Sequence, residues 1–412
     1  MSSEEKMNQS QNDVIDNTEI DNTEADDQVV TPWKATCGDK GFNYKKLIEK
    51  FGVQEIDEAL ITRFEKVTGH KAHAWMRRGI FFAHRQLTEV LDDYEKGKQI
   101  ILYTGRGPTS EALHLGHMVP FIFTKWLQDV FNAILVIQMA DDEKYYFKDM
   151  EFEKIYDLGF ENAKDIIACG FNPDKTFIFS NRDYMMNQAP HELVHTMFKK
   201  ININTVKKIF GLDDSCNVGQ LIWPIYQSAA AFSQFFEFIF GKENTKVLVA
   251  YAIDQDPYFR LARDVAEKMG MEKPCSIMTQ FLPALEGSAK MSSTTVGMPM
   301  RTIFMTDNPD EIHDVIKKHA FSGGRETLKE HKEKGADLSV DMSYQYLRYF
   351  EHDDNVLEKI ANDYGSGKML TGEIKKILAD KLTELVKAHQ EKRNAVTDED
   401  IKYFYSMDKF KR

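Results

Sequence analysis

The 412 residues predict an α/β fold: a doubly wound parallel sheet with a Rossmann-like arrangement and a helical insertion, followed by an all-helical C-terminal domain. Three observations carry this. Between Gln99 and about Met300, short apolar runs alternate with helical periodicities, as strand–helix–strand crossovers require. A glycine-bearing turn, Tyr103-Thr104-Gly105-Arg106-Gly107-Pro108, sits between the apolar run Ile100 to Tyr103 and a helical pattern from about His117 to Phe131. It therefore lies at the carboxyl end of a strand, where open α/β sheets bind ligands. From about Ile303 the strand signals stop.

Residues 1–30 are polar, with a small tandem repeat, Asp16-Asn17-Thr18-Glu19 and Asp21-Asn22-Thr23-Glu24. They carry nine acidic side chains and one lysine, so a net −8 of the chain's −12 is local. Such a composition buries too little to fold, and a disordered acidic tail is expected. Residues 31–98 turn globular, with a helical segment predicted from Gln86 to Lys96. The scattered spacing of His70, His73 and His84 favours packing over metal binding.

Residues 99–302 form the predicted α/β region. Its further strands are Ile134 to Gln138, Thr176 to Phe179, Val247 to Tyr251 and Ser276 to Met278, with helices at Phe160 to Cys169 and Asp256 to Met269. A Phe-rich helical stretch near 184–240 interrupts the sheet, and Phe232, Phe235, Phe236, Phe238 and Phe240 read as core. In residues 303–412, helices are predicted at Ile312 to His319, Tyr344 to Glu351, Asn355 to Tyr364 and Gly372 to Glu391, a separate bundle. Gly365-Ser366-Gly367-Lys368 imitates a phosphate loop, but Asn362 and Met369 stand where glycine and Ser/Thr belong, so a helix C-cap is the reading.

No apolar run is long enough to span a bilayer, and the N-terminus lacks the basic and apolar regions of a secretory signal. No membrane association is expected. Cys37, Cys169, Cys216 and Cys275 have no paired spacing, which fits reduced thiols and a cytoplasmic location. Basic clusters at Lys199-Lys200, Lys207-Lys208, Lys317 to Lys334 and Lys387 to Arg393 can neutralise phosphates, but lysine–glutamate mixtures on helices are usually solvated faces. Charge alone decides nothing about nucleic acid.

The turn has readable chemistry. Gly105 and Gly107 admit a phosphate close to the backbone, and Arg106 offers a cationic fork beside it. His114 and His117 lie three apart at a helix start and share a face, with Gly116 expected to leave a flat gap between them for a purine ring. Gly105-Arg106-Gly107 alone is weak, since a dinucleotide fingerprint needs a further glycine where Ser110 stands. About 175 residues later, Gly287-Ser288-Ala289-Lys290-Met291-Ser292-Ser293-Thr294 supplies one lysine and clustered hydroxyls, either a phosphate clamp or a flexible loop.

Together, His114-Leu115-Gly116-His117 and Lys290-Met291-Ser292-Ser293 resemble the two signatures of class I aminoacyl-tRNA synthetases. Four further runs narrow the resemblance to the eukaryotic cytoplasmic tryptophanyl type. They are Tyr103 to Pro108, Gln138-Met139-Ala140-Asp141-Asp142-Glu143-Lys144, Ala252 to Arg260, and Phe321-Ser322-Gly323-Gly324-Arg325. The resemblance covers roughly Trp33 to the C-terminus. It implies ATP-dependent activation of tryptophan and transfer to tRNA, with Mg²⁺ accompanying ATP and a homodimer joined through the insertion. Residues 31–98 become an extension packed on the catalytic domain, and residues 303–412 an anticodon-binding domain. The implied catalytic residues are Arg106, His117, Lys290 and Ser292. Thr104, Gly105, His114, Gly116 and Met291 join them in holding ATP. Tyr103 and Gln138 are implied to meet the indole N–H, with Glu143, Gln227 and Gln255 around the ammonium group and Lys144 at the carboxylate or a phosphate. Arg325 and Glu326 are implied to read the anticodon; Glu326 stands where human-like sequences have Asp.

Ser293 departs from the many class I enzymes that carry a second lysine there, as tryptophanyl enzymes also do. A tyrosyl enzyme is the nearest rival, but a phenol usually calls for a carboxylate where Gln138 stands. A small-molecule adenylyltransferase needs no long helical C-terminus. A non-catalytic relative is expected to have lost Lys290 or the histidines.

Overall fold

A computed structural model describes residues 28–37, 41–287, 290 and 302–411. Among these the strands are β1 (Val29–Val30), β2 (Ala35–Thr36), β3 (Gln54–Glu55), β4 (Phe81–Arg85), β5 (Ile101–Arg106), β6 (Ile134–Met139), β7 (Thr176–Ser180), β8 (Val247–Ala252) and β9 (Cys275–Thr279). Seven form one sheet in the order β3-β4-β9-β8-β5-β6-β7. The run from β9 to β7 is parallel, with Leu102 beside Leu135 and Leu248.

Both faces of these strands are covered, so they read as unbroken apolar runs and not as alternating ones. The pleat sends alternate side chains to opposite cores. Leu102, Leu135, Ile137 and Leu248 join one cluster, and Ile101, Tyr103, Val136 and Val249 the other. The chain leaves β5 toward β6 and β7, then returns past it to β8 and β9. Strand order thus reverses between β5 and β8, opening a crevice at their carboxyl ends.

The α/β expectation holds, with corrections at its margins. β4 pairs antiparallel with β9 and β3 antiparallel with β4, so the 31–98 region adds two strands that the sequence reading passed over. Phe81-Phe82-Ala83 is a short buried run that covers the open edge of β9, and periodicity alone does not separate such a run from the start of a helix. Arg85 then binds Asp256 through two hydrogen bonds of 2.9 and 2.8 Å.

The expected tail boundary at residue 30 is also too late. β1 pairs with β2, and buried Gln28 accepts from the Asn43 N–H at 2.8 Å. Residues 1–27 lie outside the described residues. Trp33 stacks on Phe147 with centroids 4.2 Å apart and donates its indole N–H to the Phe210 carbonyl at 2.9 Å. Two apolar or hydrogen-bonded anchors so close together offset the ordering entropy of a short polar segment.

The C-terminal helices lie at Pro309–His319, Leu328–Lys334, Met342–Phe350, Asp354–Gly365, Thr371–Asn394 and Asp398–Tyr405. Asn308 and Glu311 form a capping box that starts the first. The helices do not form a separate core: Ile312, Leu347, Leu378 and Leu382 belong to the cluster that also takes in Leu115, Phe123 and Leu135. At Gly367 φ is 77°, and a Cβ there would collide with the His331 carbonyl, so this turn is built around packing as the C-cap reading expects.

Arg77 and Arg78 join the N-terminal region to this helical part through Asp354, with an Arg78–Asp354 bond of 2.6 Å. Chiefly the Arg77 hydrogen bond, then Arg78, holds the Asp354 carboxyl down at about 2 against an ordinary 3.8. A carboxyl depressed by folding adds stability above its unfolded pKa and loses it as pH falls through the folded one. Asp354→Asn is therefore expected to lower the unfolding free energy obtained from urea titration at pH 7, by about 1 kcal/mol or less because the pair is half exposed. The difference from wild type should vanish between pH 4 and pH 2; a constant difference across that window would show that the pair has no ionic role.

Candidate active site

The end of β5 and the turn that follows it are shaped by what Gly105 and Gly107 leave out. A Cβ at Gly105 would stand 3.1 Å from the Gln138 carbonyl, and one at Gly107 would overlap the Glu143 carboxylate and the Lys144 stem. Between them Arg106 is half-buried. Its Nε donates to Asn162 Oδ1 at 3.1 Å, and Asn162 is fixed in turn by donating to the Ser110 carbonyl at 2.8 Å. Nη2 is buried without a partner. Burial pulls the guanidinium pKa down to about 10, with the negative charges of Glu143 and Asp165 opposing. Arg106 thus stays charged at neutral pH and keeps an unused donor. That suits an incoming anion.

The helix Leu115–Phe131 begins two residues earlier than expected, with His114 in extended conformation as its cap. The rings of His114 and His117 stack, centroids 3.5 Å apart. No purine fits between them, which corrects the expected gap. Gly116 lines the cavity beside the pair. Burial, followed by the charges of Arg106 and Lys290, pushes His114 down to about 3. His117 is lowered well below its usual value by the same burial and by Arg106. Both rings are neutral near pH 7, so they offer ring faces and single hydrogen bonds and add no positive charge.

Beyond the histidines the crevice continues as a cavity of about 330 Å³. Tyr103, at its inner end, donates to Gln138 Oε1 at 2.5 Å. Gln138 donates to Asn181 at 2.8 Å. Gln227 donates to Gln255 at a long 3.4 Å, and Lys144 pairs with Glu143 at 2.8 Å. Lys290 arrives from a distant segment and pairs with Asp254 at 2.6 Å, its ammonium 5.1 Å from the Phe281 ring centroid. Thr104 and Gly105 also line this space. Met291 and Ser292 lie outside the described residues. Arg325 and Glu326 are elsewhere, exposed in the loop before the helix Leu328–Lys334.

A family profile described as "tRNA synthetases class I (W and Y)" matches residues 95–387. The human cytoplasmic tryptophan–tRNA ligase is 50% identical over 383 residues, 92% of this chain and 81% of that protein. The enzyme of the same name from Arabidopsis thaliana is 46% identical over 396 residues, 95% of this chain and 98% of that one. This chain belongs to the class I aminoacyl-tRNA synthetases, in their tryptophanyl group. The crystal structure of the Plasmodium falciparum tryptophanyl-tRNA synthetase superposes with a TM-score of 0.84 at 47% identity, covering 90% of this chain and 97% of that one. The Encephalitozoon cuniculi enzyme, solved bound to tryptophan, superposes with a TM-score of 0.82 at 40% identity, covering 89% and 99%.

Around this crevice the sequence reading missed four polar residues. Asn162 orients Arg106, Asp254 holds Lys290, and Asn181 and Asp142 stand behind Gln138. Asp254 and Asp142 both fall inside runs that carried the family resemblance. Asn162 lies on the helix Phe152–Ala168 with nothing local to single it out, because its contact with Arg106 spans 56 residues.

Proposed function

We infer that this chain is a tryptophan–tRNA ligase that activates L-tryptophan with ATP and esterifies the product to tRNA(Trp). The observation that carries it is the meeting of Arg106, Lys290 and the His114–His117 stack with Tyr103 and Gln138 around one crevice. In the first step a tryptophan carboxylate oxygen attacks the α-phosphorus of ATP. The bond to the bridging oxygen breaks and pyrophosphate leaves with its electrons. In the second, a terminal ribose hydroxyl of tRNA attacks the acyl carbon, losing its proton, and AMP departs. Neither step needs a protein nucleophile, so positioning and charge stabilisation supply the catalysis.

Each described residue has a part in this scheme. The half-buried Arg106 faces the α-phosphate and Lys290 the departing pyrophosphate; Ser292, outside the described residues, keeps the role that the family resemblance implies. His114, Gly116 and His117 carry the adenosine, and Thr104 and Gly105 bring the backbone near the phosphates. Tyr103 and Gln138 read the indole, a group that only donates. Glu143, Gln227 and Gln255 meet the ammonium and Lys144 the carboxylate. Donors facing the phosphate turn are cationic, a set that suits phosphate oxygens and not a metal, so Mg²⁺ would enter bound to ATP and there offset phosphate charge.

The 303–412 helices serve the tRNA anticodon in this reading, through exposed Arg325 and Glu326. A homodimer through residues 184–240 accords with the exposure of Met186 (86%) and Val218 (72%). The relatives' names place them in the cytoplasm, and the same location is proposed here. No helix of the described residues is long and apolar enough to cross a membrane.

ATP–pyrophosphate exchange measured with each amino acid in turn tests the reading. Tryptophan is expected to support exchange and tyrosine not to. Exchange with tyrosine alone would assign the chain to the tyrosyl rival, and exchange with neither would leave it a non-catalytic relative.

A further inference from the structure

The loop that carries Arg325 is tied to its surroundings at nearly every residue. Phe321 donates its N–H to the Leu285 carbonyl at 2.7 Å and accepts from the Met342 N–H at 3.0 Å. Gly323 donates to Asp341 Oδ2 at 2.9 Å and accepts from the Asp337 N–H at 2.8 Å. A Cβ on Gly323 would overlap the Asp337 carbonyl, so the backbone here runs as close to its neighbour as glycine allows. Gly324 donates to Ser322 Oγ at 3.0 Å. Arg325 itself remains exposed.

Two supports of this loop converge on Tyr364, a buried residue of the helix Asp354–Gly365. Its hydroxyl donates at 2.8 Å to Asp341 Oδ2, the oxygen that also takes the Gly323 N–H, and lies 3.3 Å from Ser322 Oγ and 3.1 Å from Thr371 Oγ1. Its carbonyl accepts from the Ala336 N–H at 3.2 Å. Gly335, one residue earlier, accepts from Arg325 Nε at 2.9 Å. Tyr364 thus braces both the loop from which Arg325 projects and the segment on which its guanidinium rests. The bond to Gly335 uses one N–H of the guanidinium and leaves both NH₂ groups for a ligand.

We propose that Tyr364, through Asp341, is a positioning residue for anticodon recognition, fixing the loop so that Arg325 meets a tRNA base with its guanidinium already aimed. The proposal rests on the tRNA(Trp) reading above and deepens it. A planar fork held at Nε points its NH₂ groups one way, which favours a base edge with paired acceptors and spares the entropy of ordering the side chain on binding. An arginine loose on its stem would serve any nearby phosphate and discriminate poorly among bases. Asp341 suits the link because it is buried and held at its other oxygen, where Oδ1 accepts from the Tyr344 N–H at 2.9 Å and caps the helix Met342–Phe350.

Tyr364→Phe removes the hydroxyl and keeps the ring. The substrates are a tRNA(Trp) transcript and three further transcripts, each with one anticodon nucleotide replaced, and the readout is the cognate-to-replaced ratio of kcat/KM in aminoacylation. Arg325→Ala is expected to collapse one of the three ratios, which identifies the base it reads. Tyr364→Phe is expected to lower that same ratio by about tenfold, through the tRNA KM, while ATP–pyrophosphate exchange stays within about twofold of wild type because it needs no tRNA. In the Arg325→Ala background Tyr364→Phe should lower the ratio no further.

No exchange with tryptophan in the wild type would refute the reading and the proposal together. Exchange with tryptophan but three unchanged ratios in Arg325→Ala would overturn the proposal by removing the arginine's role. With both established, an unchanged ratio in Tyr364→Phe would overturn the proposal alone. So would an equal fall in exchange, the mark of general structural damage, or a further fall in the Arg325→Ala background, which would place the hydroxyl's effect elsewhere.

Discussion

Replacing Arg106 by methionine is expected to slow ATP–pyrophosphate exchange by about 10²- to 10³-fold, the usual cost of deleting one preorganised donor to developing charge. The same change should leave the ligand-free protein as stable as before, or more so. Arg106 is a half-buried cation whose Nη2 is buried and unsatisfied and whose pKa is pulled down to about 10. A cation whose pKa falls on folding is destabilising at neutral pH, and that cost is relieved only as pH rises through the folded pKa. Methionine has similar length and no charge to desolvate. Thermal midpoints read beside exchange rates make the test. A lower midpoint with exchange intact would recast Arg106 as a structural residue.

Lys290→Ala should cost a comparable 10²- to 10³-fold in exchange, with tryptophan affinity unchanged within about twofold, because the lysine acts on the phosphate end alone. Here stability is expected to move the other way. Lys290 is the ion-pair partner of Asp254, which is only 2% exposed, and an abandoned buried carboxylate is costly. Lys290→Ala combined with Asp254→Asn should therefore regain the thermal midpoint without regaining exchange. Equilibrium tryptophan binding completes the comparison. Exchange at the wild-type rate in Lys290→Ala would remove the role given to this side chain.

Arg106 shows both the reach and the limit of sequence reading. Its place at a strand-to-helix turn was legible because five consecutive apolar strands alternate with helices, a pattern set by local period. Its reach into the crevice was not, because Asn162 aims it from a helix 56 residues away. The histidines repeat the lesson. Spacing placed His114 and His117 on one face, but the direct stacking of their rings depends on an extended residue at the helix cap, which closed the gap expected at Gly116. β4 was hidden for another reason: its five residues form a strand against the free edge of β9, a partner nearly 200 residues later.

From the sequence alone came the α/β class, the glycine turn, and the set of chemical groups able to bind a nucleotide beside an aromatic amino acid. These follow from local periodicity and side-chain identity, which neighbours in the chain already define. The tertiary structure alone decided which groups face each other and which way each donates. Asp254 came to hold Lys290, Asp142 to stand behind Gln138, and the C-terminal helices to share the core of the catalytic sheet. The physical reason is that a hydrogen bond or ion pair is fixed by distance and direction in space, and closing loops of tens to hundreds of residues leaves no periodic trace in the chain.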